Sequence, residues 1–391
     1  MTVALIAGGG IAGPVTAMAL QKAGIDATLF EAYDRAADGV GAFLTLATNG
    51  LAALRTLDLH TLVREHGFDT PSMSIGLGGR PFATFDFGEP LPDGTVTQTI
   101  TRAAIYTALR DEAVRRGVRI EYGKRLTTAS STADGVTATF ADGSTAHGDL
   151  LVGADGLRST TRALIDPSAP SPRYVPLLNA GGYAHGVAQD AEPGRMHMVF
   201  GRNCFYAYVV HPSGEVWWFA NPRQSRELSR EELAQVPWRE KLLGLFSRED
   251  GPARELIDAT PEIFAGWNTY DFPRVPMWHR DRMVIVGDAA HATSPASGQG
   301  ASMAIEDAVT LGKCLRDIGE VPTAFARYEE LRRKRVERVV KQGKRNGDGK
   351  SLGPVMRHVL PLMLKLAKPS AAGMRWLYGH HIEWEESVVA R

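Results

Sequence analysis

Three short segments hold residue types from which binding and redox chemistry could be built. The first is Gly8-x-Gly10-x-x-Gly13, directly after the apolar run Val3-Ala4-Leu5-Ile6. Glycines at this spacing permit a tight strand-to-helix turn, let the backbone approach a pyrophosphate, and let the helix pack closely on the strand. Such a turn can also exist without a nucleotide, and glycine is common here, 41 of 391 residues, so the pattern alone leaves both readings open. Glu31 tips the balance. It ends the second strand, where a carboxylate can accept hydrogen bonds from both hydroxyls of an adenosine ribose.

The second segment is the run 287–300, GDAAHATSPASGQG, set between the apolar Met283-Val284-Ile285-Val286 and a helical stretch. The third is Asp155-Gly156, which follows Leu150-Leu151-Val152 and precedes Arg158, Ser159 and Arg162. Each places an aspartate at the end of a buried-type strand, where its oxygens suit a hydroxyl-rich partner.

The elements that must position these residues read as a βαβ opening. A helix carries Ile11, Val15, Met18, Ala19 and Lys22 and stops at Gly24, after which Ala27-Thr28-Leu29-Phe30 returns to strand character. Gly39, Gly41 and Gly50 predict a loop close to something bulky, and Leu51, Leu54, Leu57 and Leu62 a helix beyond it. Thr101 is the N-cap of a helix with Ile105, Ala108, Leu109 and Ala113 on one face, followed by a strand at Val118 and Ile120 and a hairpin turning at Asp142-Gly143. Residues 173–275, rich in aromatics and alternation, read as an antiparallel sheet. A long helix runs from about residue 300 to Leu315. The basic stretch from Tyr328 to Arg345, with Leu331, Val336, Val339 and Val340 apolar, reads as a helix with a solvated basic face.

Composition narrows the class. Lysine plus arginine and aspartate plus glutamate each total 44, so no global field attracts nucleic acid or an anionic membrane. Cys204 and Cys314 stand far apart without metal-ligand spacing, which argues against a disulfide framework or a thiolate metal site and fits a reducing cytoplasm. The first apolar run is too short for a secretory core, and no stretch approaches the roughly 20 apolar residues of a membrane helix. Length allows two or three domains at about 150 residues each.

Taken in order, the three segments resemble the hallmarks of the class A flavoprotein monooxygenases, the aromatic hydroxylases related to 4-hydroxybenzoate and salicylate hydroxylases. The resemblance covers the nucleotide-binding two-thirds of the chain. It implies an α/β fold: a Rossmann-like FAD-binding domain at 1–70, 101–172 and 276–320, an inserted substrate-binding β-sheet domain at 71–100 and 173–275, and a C-terminal helical region at 321–391. By the same resemblance Gly8, Gly10, Ile11, Ala12 and Gly13 hold the FAD pyrophosphate, Glu31 the ribose, and Asp288 of Gly287-Asp288 further cofactor hydroxyls. Asp155 and Gly156 would serve FAD and the nicotinamide nucleotide, Arg102 would reach toward FAD, and Leu126 would offer backbone groups to adenine. Pro295, Gly298, Gly300, Ala301 and Ser302 would line the isoalloxazine with backbone amides, Ser302 departing from the asparagine common in the family. His291 is read as structural.

The implied reaction is monooxygenation. NADH or NADPH reduces FAD, O2 adds at the flavin C4a carbon, and the resulting hydroperoxide hydroxylates or epoxidises an aromatic or polyketide-like small molecule. The protein's share is a water-poor pocket and a fixed substrate pose. Tyr183, His185, Phe205, Tyr206, Tyr208, Trp217, Trp218 and Phe219 lie in the expected sheet, and alternation lets only about half of them face a pocket. Tyr183, His185, Tyr206, Tyr208, Trp218 and Pro295 are the candidate substrate-lining residues, and no catalytic base is assigned. A flavin-dependent halogenase is disfavoured, because Trp217-Trp218-Phe219-Ala220-Asn221-Pro222 lacks the W-x-W-x-I-P pattern. A non-catalytic flavoprotein that sequesters a ligand is disfavoured by the intact FAD segments.

Overall fold

The computed structural model describes residues 2–34, 42–187, 191–264, 266–350, 359 and 371–389. In chain order it forms β1 (Val3–Ala7), α1 (Ala12–Lys22), β2 (Asp26–Phe30), β3 (Phe43–Leu46), α2 (Thr48–Arg55), α3 (His60–His66), β4 (Phe68–Asp69), β5 (Ser72–Leu77), β6 (Arg80–Asp86), β7 (Gln98–Thr101) and α4 (Arg102–Arg115). There follow β8 (Arg119–Glu121), β9 (Leu126–Ser131), β10 (Val136–Phe140), β11 (Thr145–Gly148), β12 (Leu150–Gly153), α5 (Thr160–Ile165), β13 (Arg173–Ala184), β14 (Arg195–Phe200), β15 (Phe205–Val210) and β16 (Val216–Asn221). The chain continues with α6 (Arg230–Gln235), α7 (Trp238–Leu245), α8 (Ala253–Asp258), β17 (Trp267–Asp271), β18 (His279–Arg280), β19 (Met283–Ile285), α9 (Asp288–His291), α10 (Gly300–Asp317), α11 (Val321–Gly349) and α12 (Ala371–Tyr378). Gly39 and Gly41 lie outside the described residues.

A six-stranded sheet runs β18-β19-β12-β1-β2-β8, parallel except at its β18 edge. Its central strands are buried on both faces, which is why they read as unbroken apolar runs. β1, β12 and β19 are neighbours, with Ala7 beside Gly153 and Gly153 beside Ile285. The carboxyl ends of these three strands therefore bring the glycine turn, Asp155 and Gly287-Asp288 to one side of the sheet, where open α/β folds take ligands.

A second sheet, β17-β13-β16-β15-β14-β5-β6, joins strands from 72–86 to those from 173–271. It is antiparallel apart from β5 against β14, because β5 enters from a distant part of the chain. The helices α6, α7 and α8 interrupt the segment expected to be all sheet. Trp238 and Leu242 of α7, Phe246 just past its end, and Leu256 and Ile257 of α8 form a separate core against one face of it. Thr101 does cap α4, accepting from Ala104 N at 3.1 Å, and the 141–144 turn joins β10 to β11.

The basic helix α11 corrects one expectation. Arg332 is 1% exposed, while the apolar Leu331 is 38% exposed. Periodicity gave the helix its two faces but assigned the arginine to the wrong one, since its partners lie on another helix.

Candidate active site

The three glycines answer to different constraints. Gly8 has φ +107°, and a Cβ there would meet the carbonyl of Ala154 at the end of β12. A Cβ at Gly13 would run into the Gly8 carbonyl, so α1 could not pack so closely on the turn. At Gly10 a Cβ would meet nothing within 4 Å. That position opens onto the cleft, and α1 begins there without a side-chain cap or an acidic residue in its first turn. Unpaired N–H groups and the positive end of the helix dipole are what a pyrophosphate needs.

Glu31 stands beside this turn. Its Oε2 accepts from Gly9 N at 2.6 Å and its Oε1 from Tyr33 N at 3.0 Å. Both oxygens keep lone pairs for ribose hydroxyls. The adjoining cleft, about 190 Å³, is lined by Gly9, Gly10, Glu31, Tyr106 and Tyr122 among others. Leu126 is buried at the start of β9, two residues beyond Lys124, whose N–H donates to the Glu31 carbonyl at 2.7 Å.

Asp155 is occupied locally. It accepts from Ser159 Oγ at 2.5 Å and from Thr161 N and Oγ1 at 2.9 and 3.0 Å, tying the turn after β12 to α5. Gly156 adopts φ +73° with open space beside it. Arg162 is buried, stacks 4.4 Å from the Phe272 ring centroid and donates to the Ala289 carbonyl at 2.9 Å. The Asp155 segment thus reaches across to the residue next to Asp288. Arg158, by contrast, is exposed.

Gly287 has φ +60° and fits between Ala12 of α1 and Ala304 of α10, either of which a Cβ would approach at 3.3 and 3.1 Å respectively. Its N–H donates to Asp307 Oδ2 at 2.9 Å. The Asp288 side chain is open to solvent, yet enough protein surrounds it that desolvation raises its pKa, with the charges of His291 and Arg102 pulling the other way. Arg102, at the first turn of α4, also donates to Tyr106 Oη at 3.0 Å. Residues 186 positions apart are therefore brought into one field.

Pro295 opens a short 3-10 turn to Ser297, Gly298 follows with φ +63°, and α10 starts at Gly300, again with no side-chain cap. The N–H groups of Gly300, Ala301 and Ser302 make a second uncapped helix start. Ser302 itself is buried, its Oγ without a partner among the described residues, and a Cβ on Gly50 would press against it.

Sequence reasoning missed the ionic lattice beneath this loop. Arg332 of α11 bonds Asp307 Oδ1 at 2.7 Å and Glu306 Oε2 at 2.5 Å, and Arg335 bonds both Glu306 oxygens at 2.8 Å. Asp307 also pairs with buried His291. Asn49 of α2 bridges Glu306 at 2.7 Å and Gln299 at 2.9 Å. Burial pushes both carboxyls up, but Arg332 with Arg335 holds Glu306, and His291 with Arg332 holds Asp307, down at about 2. The lattice fixes Gly287 on one side and the start of α10 on the other. The only trace in the sequence is a Glu-Asp pair and arginines on separate helices.

The second sheet sorts the aromatic candidates by strand parity. Met196, Phe205, Ala207, Val209, Trp217, Phe219 and Tyr183 join the core shared with the parallel-sheet half. Trp217 and Phe219 pack 5.6 and 5.9 Å from Phe43 of β3, and Tyr183 packs on Trp217. Tyr206, Tyr208 and Trp218 lie on the other face, in the core under α6, α7 and α8. His185 falls past the end of β13, exposed and 3.3 Å from Glu215. Of the expected lining, only Tyr183 and Pro295 stand on the side of the parallel-sheet half, and burial raises the Tyr183 hydroxyl to about 12.

The chain is similar to known proteins along most of its length. Residues 1–343 match the family described as FAD binding domain. The chain belongs to this family. It is 34% identical over 343 residues to aurachin C monooxygenase/isomerase of Stigmatella aurantiaca, covering 84% of each chain. To 3-hydroxybenzoate 6-hydroxylase of Klebsiella oxytoca it is 29% identical over 391 residues, covering 98% of this chain and 97% of that one. Klebsiella pneumoniae HpxO, solved with FAD and uric acid, superposes with a TM-score of 0.81 at 25% identity, over 96% of this chain and 97% of that one. The chain is an FAD-dependent monooxygenase with a nicotinamide nucleotide as reductant. No described helix is long and apolar enough to cross a membrane.

Proposed function

We propose that this enzyme hydroxylates or epoxidises an aromatic or polyketide-like small molecule with O2, and that FAD lies along the carboxyl ends of β1, β12 and β19. The observation that carries the site assignment is the open position at Gly10 beside the uncapped start of α1, with Glu31 fixed next to it. A backbone cradle of this size and polarity fits a pyrophosphate.

Gly10, Ile11, Ala12 and Gly13 would hold the phosphates, Glu31 the ribose, and Asp288 a further hydroxyl, with Arg102 lending positive charge. Asp155 and Gly156 would support the cofactor through α5, and the backbone of Leu126 would meet the adenine. The 295–302 loop would carry the ring system on the amides of Gly298, Gly300, Ala301 and Ser302, whose helix dipole favours negative charge there. When bound and reduced by NADH or NADPH, FAD supplies O2 activation. The protein's task is then to exclude water and fix the substrate, which the half-buried rings of Phe219 and Tyr183 can do. The name 3-hydroxybenzoate 6-hydroxylase, and uric acid in the HpxO structure, favour a planar ring as substrate. Both cysteines are buried and free, in keeping with the cytoplasm.

FAD-loaded protein is expected to show substrate-stimulated oxidation of NADH or NADPH with some member of a phenolic and polyketide panel, and to yield an oxygenated product by mass spectrometry. Ligand binding without oxygen consumption across the panel would overturn the reading. Asp288→Ala is expected to lose its yellow colour on gel filtration.

A further inference from the structure

The end of α11 delivers a lysine to the sheet face that looks toward the parallel-sheet half. Gly347, near that end, lies against Ser294, Ala296 and Leu177, and Asn346 Nδ2 donates to the Ala296 carbonyl at 3.0 Å. The helix therefore finishes between the 294–297 segment and the sheet. There Lys350 Nζ sits 4.4 Å from the Phe205 ring centroid and 5.5 Å from that of Phe219, and donates to Asn221 Oδ1 at 2.5 Å.

Asn221 is itself held. Its Nδ2 donates to Asn179 Oδ1 at 2.8 Å and to the Leu178 carbonyl at 3.2 Å, while Asn179 Nδ2 donates to Thr269 Oγ1 at 2.8 Å. Thr269, Asn179 and Asn221 are all buried, so a polar chain crosses β17, β13 and β16 and presents an amide oxygen to the amine. Such a chain costs desolvation at every link, and it leads to one amine against an aromatic wall.

The surroundings leave that amine without a counter-charge. Among the described residues no carboxylate pairs with Lys350. Asp348, two residues back, pairs with Lys344 and also bears on Arg173 of β13, which is itself paired with the buried Asp271 of β17, and the side chains that lead to the amine across β17, β13 and β16 are two amides and a hydroxyl. The ionisable group that bears on it is Cys204, whose thiol burial pushes up to about 12, so that it is uncharged; Glu249 and Lys241 act on that thiol. Burial brings the lysine down to about 7, while its side chain, only partly buried, keeps contact with solvent.

We propose that Lys350 takes the proton from an acidic hydroxyl of the substrate, a phenol or an enol, and holds the resulting oxyanion beside Phe205 and Phe219. This rests on the reading of the enzyme as a hydroxylase. The substrate O–H bond breaks, its electron pair stays on oxygen, and the proton completes the ammonium. The amine had released its own proton to solvent beforehand, and the ammonium returns one to the product oxygen on release. An oxyanion enriches the ring carbons ortho and para to it, which are the positions an electrophilic oxygen attacks.

The test is 19F NMR of 4-fluorophenol with the FAD-loaded protein at pH 6.5. Bound to the wild type, the probe is expected at the phenolate chemical shift although the free probe is neutral. Lys350→Met is expected to keep its FAD, bind the probe about tenfold more weakly, and leave it at the neutral shift. Lys350→Gln, which keeps a donor for Asn221 and so guards against a folding defect, is expected to fail in the same way. Lys350→Arg supplies a permanent cation that cannot take the proton, so it should recover the phenolate shift only with the proton passing to solvent, which separates the hold on the oxyanion from the proton transfer. Phenolate bound equally by the Met and Gln variants overturns the proposal, as does a wild type that binds the probe in neutral form or not at all. If that wild type still holds FAD and oxidises NADH or NADPH, only the assignment of Lys350 has failed. If it does neither, the hydroxylase reading has failed with it.

Discussion

On one face of the seven-stranded sheet Tyr206, Tyr208 and Trp218 lie sealed beneath α6, α7 and α8, with Trp218 Nε1 bonded to Thr260 Oγ1 at 2.8 Å. On the other, one residue along each strand, Phe205, Trp217 and Phe219 look toward β3 and the end of α11. The same strands supply both sets, and the side-chain chemistry is alike. What separates them is the layer laid against each face. Buried contacts with these helices make the first set scaffold, whereas the second meets β3 and the end of α11, which leave Phe219 and Tyr183 only partly buried.

Substitutions on the two faces should therefore fail in different ways. The largest effect is expected at Trp218, 2% exposed: Trp218→Ala should cost about 3–5 kcal/mol, read as a lower urea midpoint with an unchanged slope. A smaller effect of another kind is expected across the sheet. Phe219→Ala should leave FAD content unchanged and shift the melting temperature by only a few degrees, about 1 kcal/mol, while raising KM for the substrate about tenfold. A loss of stability at Phe219 as large as at Trp218 would erase the distinction. The smallest effect belongs to Tyr206, whose buried hydroxyl has no partner among the described residues. Tyr206→Phe should be neutral or stabilise by up to about 1 kcal/mol in the same urea titration, and a clear destabilisation would place an unseen partner on that oxygen.

Strand parity also marks where the sequence stopped being legible. Alternation divides Phe205 through Trp218 into two classes, but nothing local says which class faces the cleft, because that depends on helices the pattern did not announce. The choice of Tyr206, Tyr208 and Trp218 failed for this reason. Arg332 failed similarly, since its carboxylates sit on α10 and a single-helix pattern cannot see them. Lys350 gave no signal at all. The glycine turn, Glu31 and Gly287-Asp288 could be read because their demands are local: a positive φ, a close approach, a strand end. Their assembly followed from strand order, as β1, β12 and β19 are neighbours.

That local demand gives the most direct test of the account, which places a pyrophosphate at Gly10. A Cβ there would meet no protein atom within 4 Å, so Gly10→Val is expected to fold, its melting temperature without cofactor within about 2 °C of wild type. It should nevertheless lose FAD affinity by at least about a hundredfold in a fluorescence titration, because the added methyl groups fill the space of the phosphates. A folded variant that binds FAD as tightly as the wild type would contradict the account.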